Sequence, residues 1–345
     1  MRGFVRRVLE AAGVDAEMAS PWAARMIDAD LLGYSTHGIA MLRTYLDRIE
    51  AGGIARSGKL EVVSDHPASF CWQAHRLSGA WAMAQATTAL LDRAQHQPVV
   101  TGAIANCSHI GCLQSYLLPF VQLELVVLLS ATNPGVESVA PFGGTEAILT
   151  TNPFAVGIPT RTTPILIDQS TSVTSNSAVE AYRLRGEKLP GRWLLDNRGQ
   201  TTDDPAVLGT TPPGSIMPLG GETFGYKGFG FGLMVEALAL ALPGYGRRSR
   251  PDRFGQGVFV QVINPANFCG REAFLDEIDY LVGRCHASPP VDADTPVRLP
   301  GERALANMQR QEAEGVGVPG DVLDKLTPWL RRLSVEPPHP IAAAV

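Results

Sequence analysis

Asp30-Leu31-Leu32-Gly33-Tyr34-Ser35-Thr36-His37-Gly38 is the stretch on which the reading of this chain turns. A helical pattern precedes it, with Val5, Leu9, Ala12, Met18, Ala23, Ala24, Met26 and Ile27 at approximate helical spacing. Gly33 breaks that pattern. A new helix is predicted over 38–51, ended by Gly52-Gly53. Between the two breaks stand two hydroxyls and an imidazole, which with an ordinary pKa of about 6.5 can give or take a proton at neutral pH. The neighbours alone favour a plainer reading, in which Ser35 or Thr36 caps a helix and His37 is an incidental surface residue.

Outward from this stretch, residues 3–56 read as helical and the chain then alternates. Residues 60–63 and 68–72 are predicted strands, 81–95 an Ala-rich helix, and 99–105 a strand. The nearly continuous apolar run 125–131 suits a strand covered on both faces. Dense Pro and Gly from 134 to 164 imply turns and short strands, and 186–222 is expected to be mostly loop. Helices are predicted at 178–185, 230–242, 271–285 and from 302 onward, with a strand at 258–263. The pattern is mixed α/β with a helical N-terminal region.

Composition removes several classes of function. The 345 residues are 45% hydrophobic and 18% charged, as in globular proteins. A net charge of −5 with no basic, aromatic-interleaved stretch argues against nucleic acid as a partner. The longest uncharged apolar run, from Ala237 to Leu242, is far short of the roughly 20 residues of a membrane span. No signal peptide is read at the N-terminus. Five scattered cysteines suit a reduced, cytoplasmic chain better than a disulfide scaffold. Cys107 and Cys112 lack a second pair, and no HExxH occurs, so no metal site is expected.

Two further segments can carry chemistry. His109, in Asn106-Cys107-Ser108-His109-Ile110-Gly111, follows a predicted strand, a usual ligand position in α/β folds, although a turn histidine taken alone is more often structural. The segment from Gly220 to Gly232 sets six glycines around Lys227 before a predicted helix, which suits an anion, or equally a glycine-lined helix against a sheet.

Together these segments resemble the type 2 malate/L-lactate dehydrogenase family, which includes ureidoglycolate and sulfolactate dehydrogenases and diketogulonate and cyclic imino acid reductases. Asp30 to Gly38 is similar to its "AD..G..SHG" signature, with Thr36 where serine is usual, and Asn106 to Gly111 to "N..H.G". Ala131-Thr132-Asn133, Val139 to Gly144 and Thr151-Asn152-Pro153 resemble "TN…aP.GG…TNP". Asp168-Gln169-Ser170-Thr171-Ser172 stands for "D.ATS", Gly225 to Gly230 for "G.KGYG", and Leu299 to Arg303 for "PGE". Each piece is weak alone; six in the right order are specific.

The resemblance implies a non-Rossmann sulfolactate/malate dehydrogenase-like fold with a mixed sheet. It implies four parts: a helical region 1–56 bearing the histidine and packing with C-terminal helices 302–335; a connecting α/β part 57–110; a cofactor-binding domain 111–265; and a C-terminal part 266–345 returning to the first. It implies NAD or NADP as cofactor, a small-molecule substrate and a homodimer with active sites near the subunit boundary. Thr36 and His37 would form the hydroxyl–imidazole pair at the substrate. His109, Asn133, Asp168, Gln169, Ser170, Lys227, Pro300, Gly301, Glu302 and Arg303 would meet the cofactor. Hydride would pass to a C=O or C=N carbon while His37 supplies the proton.

Two departures limit the likeness. Relatives often carry an arginine four residues after the signature histidine, suited to clamp a carboxylate bidentately, but Met41 stands here. On a continuous helix Arg43 would point about 200° away, while Tyr45 and Arg48 would lie one and two turns along the same face, leaving Met41, Tyr45 and Arg48 as substrate-side candidates. The acid that imino-acid reductases place ten residues beyond the "D.ATS" aspartate is replaced by Ala178, with Glu180 nearby. These departures keep open a cofactor-binding homologue that serves as a dimeric scaffold. A serine-type hydrolase built on Ser35 or Thr36 with His37 lacks an orienting acid.

Overall fold

The computed structural model describes residues 1–249 and 255–338, so His339 and the end of the C-terminal tail lie outside it. The N-terminal helices are α1 (Arg2–Ala11), α2 (Ala16–Leu32) and α3 (Leu42–Glu50). There follow β1 (Glu61–His66), β2 (Ser69–Gln73), α4 (Gly79–Arg93), β3 (Val99–Cys107), α5 (Leu118–Val121), β4 (Val126–Thr132), β5 (Phe154–Ile158), β6 (Ile165–Gln169) and α6 (Asn176–Arg185). The remainder comprises β7 (Leu194–Leu195), β8 (Thr201–Thr202), β9 (Ser215–Ile216), α7 (Gly221–Glu236), β10 (Gln256–Ile263), α8 (Arg271–His286), α9 (Glu302–Glu314) and α10 (Gly320–Leu333).

The main sheet has seven strands in the order β1-β2-β3-β10-β4-β5-β6. Only β2 and β3 run parallel, and every other neighbouring pair is antiparallel, so the sheet is mixed as expected. Strand β10 enters between β3 and β4, pairing Val260 with Gly102 on one side and Leu129 on the other. The sheet is therefore continuous from residue 61 to residue 169. Apolar side chains of β3, β4 and β10 meet α4 and the segment 113–121 in one core (Ile104, Leu129, Val260, Met83, Leu90, Phe120).

A second core belongs to the N-terminal helices. Phe4, Val8, Leu9, Trp22, Met26, Leu42, Leu46 and Ile49 bury together with Leu326 and Leu330 of α10. Helix α9 is tied to the end of α2 by side chains reaching backbone: Gln311 donates to the Asp30 carbonyl at 2.9 Å, and Asn307 to that of Leu31 at 2.9 Å. Such bonds satisfy carbonyls that a helix C-terminus leaves without intrahelical partners.

Two expectations are corrected. The helix predicted over 38–51 begins instead as two 3₁₀ turns, Ser35–His37 and Ile39–Met41, before α3 starts at Leu42. The stretch 186–222 is mostly loop, as expected, and its three two-residue strands form a small antiparallel sheet, β8-β7-β9, with Leu194 and Ile216 in a core of its own. The helix predicted over 230–242 starts at Gly221 and ends in a π turn, Ala237–Ala241, so the glycine-rich segment is the helix itself. Its glycines let α7 lie close to its neighbours: a Cβ on Gly228 would sit 2.3 Å from the Leu219 backbone nitrogen.

Candidate active site

The turn that carries His37 is shaped by a buried carboxylate. Helix α2 stops at Gly33, whose φ of 92° is the left-handed conformation a side chain resists. Asp30, 4% exposed, extends from the last turn of α2, and its Oδ2 accepts the Ile39 N–H at 2.8 Å. Its Oδ1 lies so close beneath Gly38 that a Cβ there would approach to 1.8 Å. Glycine at 38 answers a close approach, not a positive φ. Burial raises the Asp30 pKa to about 6, and the Ile39 hydrogen bond partly offsets that.

His37 emerges half-buried from this turn with its Nδ1 3.0 Å from Thr36 Oγ1. Its ring lies beside that of His109, with centroids 5.7 Å apart and planes 25° from parallel. His109 follows β3. The Tyr45 hydroxyl reaches its Nδ1 from α3 at 2.8 Å, and Trp22 of α2 meets the Tyr45 ring edge-on at 5.1 Å. The loop is braced beyond it: Ile110 N–H donates to Gln256 Oε1 at 3.0 Å, and the Tyr116 hydroxyl to the Ile110 carbonyl at 2.5 Å. Burial lowers the pKa of both imidazoles. His109 falls to about 3, with the charges of His37 and Arg48 adding to the effect of burial.

The same loop leads to Asp168 at the end of β6. Asp168 Oδ2 accepts the Gln114 N–H at 2.9 Å and faces the Cys112 thiol, and burial raises its pKa to about 6. Tyr34, three residues before His37, is linked electrostatically to this group. Burial foremost, then the Asp168 charge, raises its pKa to about 12, and Arg303 opposes the rise. Tyr34 also lines a cavity of about 550 Å³ with Gly33, Arg298, Pro300, Gly301, Arg303 and Asn307.

The sequence-predicted residues therefore divide. Thr36, His37, His109 and Tyr45 form one cluster, with Arg48 close enough that its charge acts on both His109 and Tyr45. The 3₁₀ turns displace the regular helical face expected of Met41, Tyr45 and Arg48: Met41 packs at the edge of the N-terminal core. Arg43 turns outward to Asp47 at 3.8 Å. Asp168, Pro300, Gly301 and Arg303 gather near Tyr34.

The others lie apart from these clusters in their contacts. Gln169 is exposed, and Ser170 Oγ donates to the Ser172 carbonyl at 2.9 Å. Asn133 Oδ1 accepts the Gly135 N–H at 2.9 Å. Lys227 stands exposed on α7 with its ammonium 5.0 Å from the centre of the Phe224 ring. Glu302, the first residue of α9, accepts the Leu299 N–H at 3.0 Å and pairs with His286 at 2.7 Å. Glu180 is exposed and pairs with Arg183 at 2.6 Å.

Sequence reasoning missed the anchoring by Asp30, although the residue stood in the opening motif. It also missed why two Thr-Asn pairs recur. Thr132 Oγ1 meets Asn152 Oδ1 at 2.5 Å, Asn152 Nδ2 reaches Glu236 Oε1 at 2.9 Å, and Arg247 pairs with that carboxylate at 2.7 Å. Arg247 also donates to the Pro134 and Val136 carbonyls, both at 3.2 Å, and so braces the loop after Asn133.

An N-terminal helical layer on a mixed sheet, with two imidazoles where a helix turn meets the end of a strand, defines a class that comparison with known proteins identifies. The family model for malate/L-lactate dehydrogenase matches residues 1–327, and the chain belongs to that family of NAD(P)-dependent dehydrogenases. A malate dehydrogenase of Pyrococcus abyssi is 30% identical over 341 residues, covering 96% of this chain and 93% of that one. An L-sulfolactate dehydrogenase of Methanothermobacter thermautotrophicus is 26% identical over 340 residues, covering 96% and 95%. The solved structure of delta1-piperideine-2-carboxylate reductase from Pseudomonas syringae pvar. tomato superposes with a TM-score of 0.82 at 26% identity, covering 95% of this chain and 97% of that one. The expected mixed α/β architecture is that of the family. Among the described residues no helix is long and apolar enough to cross a membrane.

Proposed function

We propose that the chain is an NAD(P)H-dependent reductase of a small substrate, acting on the C=O of a 2-oxo acid or the C=N of a cyclic imine, with His37 exchanging the proton. The observation that carries this reading is the His37–His109 pair. Each ring has its Nδ1 engaged, by Thr36 and Tyr45 respectively, and neither Nε2 has a protein partner among the described residues.

A nicotinamide cofactor suits the neighbouring cavity. Arg298 and Arg303 line it, and neither makes an ion pair among the described residues, whereas most other arginines are spent on carboxylates. Pro300, Gly301 and Arg303 would hold the cofactor from this side, and Asn133, Asp168, Gln169, Ser170, Lys227 and His109 are the remaining candidates. Two unpaired guanidinium groups favour NADP over NAD, since they suit the extra 2′-phosphate. When bound, the cofactor supplies the hydride.

The chain's own residues handle the proton. His37, with a pKa lowered by burial, gives up its proton more readily than a solvated imidazole would. Thr36 Oγ1 steers the ring through Nδ1. Arg48 supplies the positive charge nearest the histidines and takes the place of the missing clamp arginine, while Met41 offers an apolar surface in that arginine's position. The burial of His109 and Tyr45 keeps that side of the site dry.

A second copy of the chain is the expected partner. Helix α7 leaves Phe224, Tyr226, Phe231, Leu233 and Met234 each more than 40% exposed, an apolar surface of the kind that self-association covers. Five free cysteines suit a reducing, cytoplasmic setting.

The test is spectrophotometric oxidation of NADPH and NADH against panels of small 2-oxo acids and cyclic imine carboxylates. Turnover in either panel, faster with NADPH, is expected. Cofactor binding without turnover in both panels would replace this reading with that of a non-catalytic scaffold.

A further inference from the structure

The two imidazoles are not equivalent, because different groups hold them. His109 Nδ1 lies 2.8 Å from the Tyr45 hydroxyl, and two proton arrangements fit that distance. In one the phenol donates to Nδ1, and the neutral imidazole carries its hydrogen on Nε2. In the other Nδ1–H donates to the phenol oxygen, and the phenol hydrogen needs an acceptor of its own. Tyr45 is 1% exposed, and no other acceptor meets its hydroxyl among the described residues. The neighbouring charged group, Arg48, is a guanidinium with donors only and cannot receive the proton. The second arrangement strands a buried O–H, and the first satisfies both groups.

We infer that Tyr45 is a positioning residue that locks His109 as the Nε2–H tautomer, making His109 a fixed hydrogen-bond donor to the reacting oxygen or nitrogen and leaving proton transfer to His37. This rests on the reading of the pair as a reductase site. Three features support the division of labour. His109 faces two positive or potentially positive groups, His37 and Arg48, and is buried, so it stays neutral throughout the working range. Its ring is held at Nδ1 by a buried phenol that Trp22 in turn holds edge-on. Among the described residues the one hydrogen-bond partner of the His37 ring is Thr36, an exposed hydroxyl that can donate or accept and so follows the imidazole as it gains or loses a proton.

The test begins with the unliganded enzyme. ¹⁵N NMR of histidine-labelled protein, with the His109 signals assigned by their loss in His109→Gln, reads the tautomer directly. A pyridine-type Nδ1 and a pyrrole-type Nε2 at neutral pH are expected; a pyrrole-type Nδ1 overturns the inference. Tyr45→Phe keeps the ring against Trp22 and removes only the hydroxyl. Its His109 signals should move toward a mixture of tautomers, and kcat should fall roughly two- to tenfold with KM little changed, the worth of one hydrogen bond. An unshifted His109 spectrum in Tyr45→Phe also overturns it. If no reductase activity is found, the spectra still decide the tautomer, so failure of the functional reading is told apart from failure of this one.

Discussion

Replacing Gly38 by alanine should distort the His37 turn through a single contact, with Asp30. The added methyl would lie 1.8 Å from Asp30 Oδ1 and 2.2 Å from its Cγ. Asp30 cannot swing away without breaking its 2.8 Å bond to the Ile39 N–H inside the protein. Overpacking of this kind costs about 1–3 kcal/mol. Leaving the buried Ile39 N–H unsatisfied adds about 1–3 kcal/mol. Gly38→Ala should therefore lose about 2–6 kcal/mol. Asp30→Ala pays only the second part, and in that background the Gly38→Ala methyl enters vacated space. Urea unfolding of the wild type, both single variants and the double variant measures the coupling. The double variant should be more stable than the sum of the single losses by about 2–6 kcal/mol, the whole of the Gly38→Ala loss. Additive losses would refute the claim that Asp30 determines the glycine at 38.

The same carboxylate makes stability depend on pH. Its pKa rises from 3.8 to about 6 on folding, so the folded state holds the proton more tightly and loses stability as pH climbs through that window. Each pKa unit is about 1.4 kcal/mol, and part of the shift is already spent at pH 4, so relative to Asp30→Asn, a mimic of the neutral acid, the wild type should lose about 2 kcal/mol between pH 4 and about 7 in thermal or urea unfolding. Arg303→Ala should raise the KM for NADPH roughly 10- to 100-fold and that for NADH little, since one charge-assisted hydrogen bond is worth about 1.5–3 kcal/mol. Glu180→Ala, which breaks only an exposed pair with Arg183, should leave kcat/KM unchanged and shift stability by less than about 0.5 kcal/mol in steady-state kinetics and urea unfolding.

Helices and strands with strong apolar periodicity were legible in the sequence: α4, β3, β4, α8 and β10 fall within a few residues of their expected positions. The 3₁₀ turns were not, because what holds them is the Asp30 carboxylate, and a side-chain-to-backbone bond leaves no mark on hydrophobic spacing. Nor was the true start of α7, since a run of glycines reads as loop while its packing role depends on how near Leu219 comes. The ordered motifs led to His37 and His109. That the two rings lie side by side, and that Tyr45 reaches His109 from 64 residues away, is a property of how α2, α3 and β3 meet. The contacts of Glu302 with Leu299 and His286 were not legible in the motif that contains it. The two Thr-Asn pairs likewise meet on Glu236, an acid that no motif contained.

The role of His37 is the centre of the account, and turnover of His37→Ala beside its affinity for NADPH tests it most directly. Loss of the general acid should lower kcat by about 10²–10⁴ while the cofactor dissociation constant stays within a few-fold of the wild type. An undiminished kcat in this variant would contradict the account.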